Sequence, residues 1–213
     1  DLRGAHHLYG VYPDLATFGK AISNGFSFSV LDGTREIMSL GGLDHNKKRV
    51  FLLSQTHSSE TIGLAACRAT LEECQRVKIE EHLWTVGRRL MEGFRRLAER
   101  ERVASHARII GFPCNPQILC THPDGTFWPA LHTAFHEELI SHGVLIPWTS
   151  ITYAHQEAEI DQTLEAVQHA MRKVRHSLEA GRVDQAFVGE AVRPVFRALN
   201  RCQQSRCGRL HAD

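Results

Sequence analysis

At Ser58 the hydrophobic period of this chain changes, and that switch limits the folds open to it more than any other feature. Before it, short apolar runs alternate with turn signals. Asp14–Phe18 reads as a strand ending at Gly19-Lys20, and Ser23-Asn24-Gly25 is turn chemistry. Phe26–Leu31 alternates until Asp32-Gly33, Thr34 is placed to cap a short helix through Met38, and Val50–Leu53 forms a third short strand. After it, a small-residue face (Ile62, Ala65, Ala66, Ala69) and then Leu83, Val86, Leu90, Phe94 and Leu97 recur at helical spacing. Strand-like patterning returns over Ala107–Cys120, broken by Gly111, Pro113 and Pro116. A helix follows over Leu131–Ser141, stopped by Gly143, then a short strand at Val144–Pro147. Ile160, Leu164, Val167, Met171 and Val174 mark one more amphipathic helix, and a weaker apolar pattern over Ala186–Leu199 is interrupted by Pro194. This order is an α/β layout with a break near residue 104. The N-terminal strands are apolar without strict alternation, as for a sheet covered on both faces.

Composition excludes several classes. With 25 Lys and Arg against 24 Asp and Glu, the chain has no basic footprint for nucleic acid. No apolar run approaches the ~18 residues that a membrane helix needs. None of the six cysteines forms a C-x-x-C pair, so the expectation is reduced, mostly buried thiols in a cytoplasmic protein. Cys67 and Cys74, seven residues apart, read as a buried helical stripe. The fourteen histidines are scattered, and neither His6-His7 nor Cys202/Cys207/His211 has zinc spacing, so no metal site is expected. The chain opens at Asp1 without a leader pattern and is expected to be part of a longer product.

Lys20 is the residue with most chemical content. At the end of a buried strand, a rigid scaffold would hold its backbone while the amine reaches a cleft. Desolvation would favour the neutral amine that attacks an aldehyde. On spacing alone, a solvent-facing lysine after a strand is the commoner arrangement. The residues around it alter that balance. The stretch Pro13-Asp14-Leu15-Ala16-Thr17-Phe18-Gly19-Lys20-Ala21-Ile22-Ser23-Asn24-Gly25 resembles the cofactor-lysine motif of class III (fold type I) aminotransferases, most closely the branch of glutamate-1-semialdehyde aminomutase. Gly33-Thr34-Arg35-Glu36-Ile37-Met38 continues the resemblance. Gln55-Thr56-His57-Ser58-Ser59-Glu60-Thr61 resembles the family's segment ahead of a small-residue helix. Glu137–Pro147 with Tyr153-Ala154-His155 is similar to its small C-terminal domain, where His155 belongs to a helix-entry segment. Two positions depart from the pattern: Ser27 and Thr61 stand where relatives commonly carry proline.

The resemblance implies a partial fold type I pyridoxal-phosphate transferase: the end of the large domain with connecting helices over 1–103, a small α+β domain over 104–200, and a disordered tail over 201–213. It implies pyridoxal 5′-phosphate as cofactor, held by Lys20 as an internal aldimine, with Lys20 afterwards moving the substrate proton. Thr56 would bind the cofactor phosphate across a homodimer interface, in a site shared between subunits. The substrate would be a small amino compound. In the family the aspartate facing the ring nitrogen lies upstream of the lysine, and Asp1 does not match it, so the chain alone is expected to be weakly active or inactive. Two other readings stay open: a lysine Schiff-base enzyme working without the cofactor, and a non-catalytic truncated homologue serving as a dimerisation module.

Overall fold

A computed structural model describes residues 2–48 and 60–193. The expected strand Val50–Leu53, the N-terminal Asp1 and the chain beyond residue 193 lie outside the described residues. Packing divides the chain into two units, Asp1–His82 and Leu83–Asp213. That division falls ahead of the break expected near residue 104.

The first unit opens with a single helical turn, α1 (Ala5–Leu8), followed by β1 (Leu15–Phe18), β2 (Val30–Gly33) and α2 (Arg35–Met38). β1 pairs with β2 antiparallel, from Leu15↔Gly33 to Phe18↔Val30. The expected sheet covered on both faces is therefore not what these strands form among the described residues. Leu15 and Thr17 are exposed, and Ala16 and Phe18 are half-buried. The connection over residues 19–29 folds into tight turns, which suit antiparallel neighbours, whereas a parallel pair needs a long crossover. Thr34 stands at the N-cap of α2, but its hydroxyl makes no cap bond; its N–H donates to the Asp14 carbonyl at 2.9 Å.

Helix α3 (Thr61–Arg76) buries Gly63 and Cys67, with Ala66, Thr70 and Cys74 half-buried beside them. Of the small-residue face read from the sequence only Ala66 turns inward; Ile62 is 60% exposed. The rotation of the helix is set by Gly63, where an added Cβ would lie 2.9 Å from the Ser27 carbonyl oxygen. Thr61 is the first helical residue, after an extended Glu60 (φ −62°, ψ 122°), a backbone setting that would accept proline at Thr61.

The larger core belongs to the second unit. α4 (Ile79–Arg100) turns Leu90, Met91, Phe94 and Ala98 inward, with Leu83, Val86 and Leu97 packed at the margin. The broken strand pattern is a hairpin: β3 (Ala107–Phe112) and β4 (Asn115–Cys120) pair from Ala107↔Cys120 to Phe112↔Asn115 around Pro113-Cys114. α5 (Pro129–Ser141) starts with proline in its first turn and stops at Gly143, φ +77°. α6 (Glu157–Glu179) begins with a capping box in which the Glu159 carboxylate accepts from the Gln156 N–H at 2.8 Å. Phe94 and Phe135, ring centroids 6.1 Å apart, meet Leu131, Leu139, Val167, Met171 and Val174 in a solvent-free centre. Val144–Pro147 is not a strand; no described segment offers it a ladder.

Cys120 is buried in this core, and burial pushes its thiol up to about 12. At its margin the rings of His132 and His136 lie 4.1 Å apart on α5, and neither His132 Nδ1 nor His136 Nε2 has a hydrogen-bond partner. Burial, reinforced by His132, holds His136 down at about 4 against an ordinary 6.5. The unfolded chain therefore takes up the proton first. The stability tied to a neutral His136 is complete above pH 6.5 and is lost as the pH falls from there toward 4. After discounting for partial exposure the loss is about 1–2 kcal/mol. Urea unfolding at pH 7.5 and pH 5 measures it, and His136→Gln is expected to flatten the difference.

Candidate functional site: the Lys20 turn

Lys20 sits where the sequence predicts, directly after β1. Gly19 continues the extended strand (φ −160°), and Lys20 then turns into the left-handed region at φ +55°. Lysine rarely adopts that region, since its Cβ crowds the following carbonyl. Lys20–Ile22 forms one tight 3-10 turn. Two further left-handed residues, Asn24 (φ +46°) and Gly25 (φ +108°), reverse the chain toward Phe26. Ser23, 1% exposed, lies beneath this turn, and its Oγ donates to the Phe26 carbonyl at 2.6 Å.

Lys20, Ala21, Asn24, Gly25, Phe26 and Ser27 line an open hollow of about 450 Å³. The expectation of a desolvated amine is not met within the described residues, for Lys20 is exposed. β1 is too short and too open to wall it in. Thr56, the expected phosphate contact, lies outside the described residues. His155 belongs to the entry of α6, as expected: its Nδ1 accepts from the Thr152 N–H at 3.0 Å. Among the described residues no group of three His, Cys, Asp or Glu side chains converges as a metal centre would require.

Sequence reasoning missed two features of the site, the left-handed backbone of Lys20 and the burial of Ser23. Asn24-Gly25 signals a turn, yet nothing in the residue types shows that Ser23 is its buried side. The hollow can present an amine to an aldehyde-bearing ligand. Its lining contains no acidic side chain and no arginine, so the residues present fit the aldehyde end of pyridoxal phosphate and do not supply a partner for its ring nitrogen.

Comparison with known proteins gives this geometry its family. The profile described as "Aminotransferase class-III" matches residues 4–174. The chain belongs to the class-III aminotransferases. It is similar to 3-aminobutyryl-CoA aminotransferase from Cloacimonas acidaminovorans, 30% identical over 180 residues that cover 83% of this chain and 42% of that protein. Similarity of the same order, 30% over 190 residues, links it to glutamate-1-semialdehyde 2,1-aminomutase from Pyrobaculum calidifontis, again covering 83% of this chain and 42% of the relative. The chain therefore spans about two-fifths of the length of the class-III relatives it matches. Its fold is that of part of a transaminase. The FumI protein of Sphingopyxis sp. MTA144, solved in its PLP internal aldimine form, superposes with a TM-score of 0.71 at 22% identity, over 83% of this chain and 40% of that one. An omega-transaminase from Sphaerobacter thermophilus gives 0.64 at 21% identity, over 80% and 42%. These neighbours are α/β enzymes of the pyridoxal-phosphate transferase fold, in keeping with the mixed strands and helices seen here.

Proposed function

We propose that this class-III chain provides the lysine-bearing part of a pyridoxal-phosphate-dependent aminotransferase or aminomutase, with Lys20 as the residue that bonds the cofactor. The observation that carries the reading is the backbone of Lys20: within the family's cofactor-lysine motif, the lysine is held at φ +55° on the rim of an open hollow. Left-handed non-glycine residues persist where the surrounding structure over-determines them, and they gather at functional sites.

When bound, the cofactor supplies an electron sink for charge developing at the substrate's amino-bearing carbon. Lys20 would hold the group through its Nζ, and that amine, when not bonded to it, would serve as the base that takes the proton from the substrate's amino-bearing carbon and delivers it onward rather than back to the same carbon. Gly19 adds no side chain on the approach to the hollow; even an added Cβ would meet nothing within 4 Å. Thr56 would hold the phosphate in the partner subunit's site, so the working form is a cytoplasmic homodimer acting on a small amino substrate. Because the hollow brings no acid for the ring nitrogen, turnover by this chain alone is expected to be weak.

The chain has five lysines: Lys20, Lys47, Lys48, Lys78 and Lys173. Treatment with pyridoxal phosphate, borohydride reduction and peptide mass spectrometry should place the adduct on Lys20 at least about tenfold over the other four, the ratio that ~1.4 kcal/mol of preference gives. Equal labelling of all five would sink the reading. It would instead favour a non-catalytic dimerisation module, which the exposure of Lys20 and the lack of an acid in its hollow also support.

A further inference from the structure

We infer that Ser23 is the positioning residue that sets the direction of the Lys20 amine, by locking the turn that keeps the Lys20 backbone left-handed. The inference rests on the reading of Lys20 as the cofactor lysine.

Ser23 is tied to both ends of the turn at once. Its N–H donates to the Lys20 carbonyl at 3.4 Å, its own carbonyl accepts from the Phe26 N–H at 3.3 Å, and its Oγ donates to the Phe26 carbonyl at 2.6 Å. The two backbone bonds could form with any residue at this position. The hydroxyl bond could not: it is short, it comes from a buried serine, and without it the Phe26 carbonyl loses this donor. A buried hydroxyl left without its acceptor is costly, so the segment is under pressure to keep this closure. The far side of the turn is fixed as well, because the Ser27 carbonyl rests against Gly63 of α3. Lys20 is thereby fastened through Ser23 to a point that the helix already holds.

The backbone of Lys20 is what this fastening acts on. At φ +55° the residue is in a region that lysine leaves when it is free to. If the hydroxyl bond is lost, the turn can relax and φ can return to negative values, which swings the Cα–Cβ bond and with it the four-carbon stem. The amine then begins from a direction not aimed at the hollow, and the advantage of a held geometry is lost. A serine that merely filled space would loosen the turn when truncated without changing how Lys20 compares with the other lysines.

The test is the pyridoxal phosphate and borohydride labelling of the full chain, compared between the unsubstituted protein and Ser23→Ala, with backbone amide exchange at Phe26 read in parallel. The expected result is faster exchange at Phe26 together with a fall of about fivefold in the Lys20 share of adduct, the factor that the net contribution of one hydrogen bond corresponds to. Lys47, Lys48, Lys78 and Lys173 should keep their labelling. Faster exchange with an unchanged Lys20 share would overturn the inference and leave a structural serine. A shift at Lys47, Lys48 and Lys78 as large as that at Lys20 would also overturn it, since the whole unit would then have loosened. Absence of any Lys20 preference in the unsubstituted chain would fell the functional reading itself, and this inference with it.

Discussion

Replacing Gly87 with alanine is expected to destabilise the second unit by about 3 kcal/mol, the upper end of what overpacking costs. Two effects oppose each other at this position. Helix propensity favours alanine over glycine by about 1 kcal/mol inside a helix such as α4. Sterics decide against it, because the new Cβ would stand 1.7 Å from the Pro113 carbonyl oxygen and 2.5 Å from its carbonyl carbon. The obstacle is backbone of the β3–β4 turn, held in place by the hairpin ladder from Ala107↔Cys120 to Phe112↔Asn115, so no side-chain rotation relieves it. Either the hairpin lifts from α4 or the helix shifts and opens the contacts of Leu90 and Phe94. Urea unfolding followed by far-ultraviolet circular dichroism would show the fall as a lower midpoint. An equal or higher midpoint would mean that the hairpin does not approach the helix this closely.

Glu101→Ala is expected to cost about 2–3 kcal/mol, somewhat less than the 3–5 seen when a fully buried ion pair is broken. Glu101 lies just past the end of α4 with its side chain 5% exposed. Its carboxylate accepts from Arg175 Nη1 at 2.6 Å and from Arg172 Nε at 3.3 Å, both on α6. The two arginines are partly in water, 31% and 47% exposed, so once the carboxylate is gone they can rehydrate; that tempers the loss. The same unfolding measurement reads the effect, and Glu101→Gln, which keeps the volume and an acceptor, should fall between the alanine variant and the unsubstituted protein. A Glu101→Ala midpoint within error of the original would show that burial of the carboxylate cancels what the arginines return.

The parts of this structure legible from residue types are those in which one physical signal dominates. The 3.6-residue period places α4 and α6, and with them Leu90, Phe94, Val167, Met171 and Val174 at the centre, while Gly143 marks the end of α5. Gly111, Pro113 and Pro116 marked the hairpin as interrupted strand. Period alone gives spacing and not orientation, which is why the inward face of α3 was misjudged: Ile62 belongs to an apolar repeat, but the close approach at Gly63 turns it outward. Val144–Pro147 has strand composition and no strand to pair with, a fact of tertiary structure that no local pattern contains. At the site, the residue types around Lys20 announced its family, whereas the left-handed backbone and the buried hydroxyl of Ser23 arise from how the turn closes on itself.

The β1–β2 pair carries one more consequence. Each of its strands is four residues long, and among the described residues each bonds only to the other, so within those residues the outer edges of β1 and β2 have no ladder partner. A two-stranded ribbon on its own is marginal in water, and open edges are templates for added strands. Among the described residues, the ribbon that Lys20 directly follows is therefore a place open to β-augmentation: ordered growth of the sheet when the right strand arrives, and edge-to-edge aggregation at high concentration when it does not.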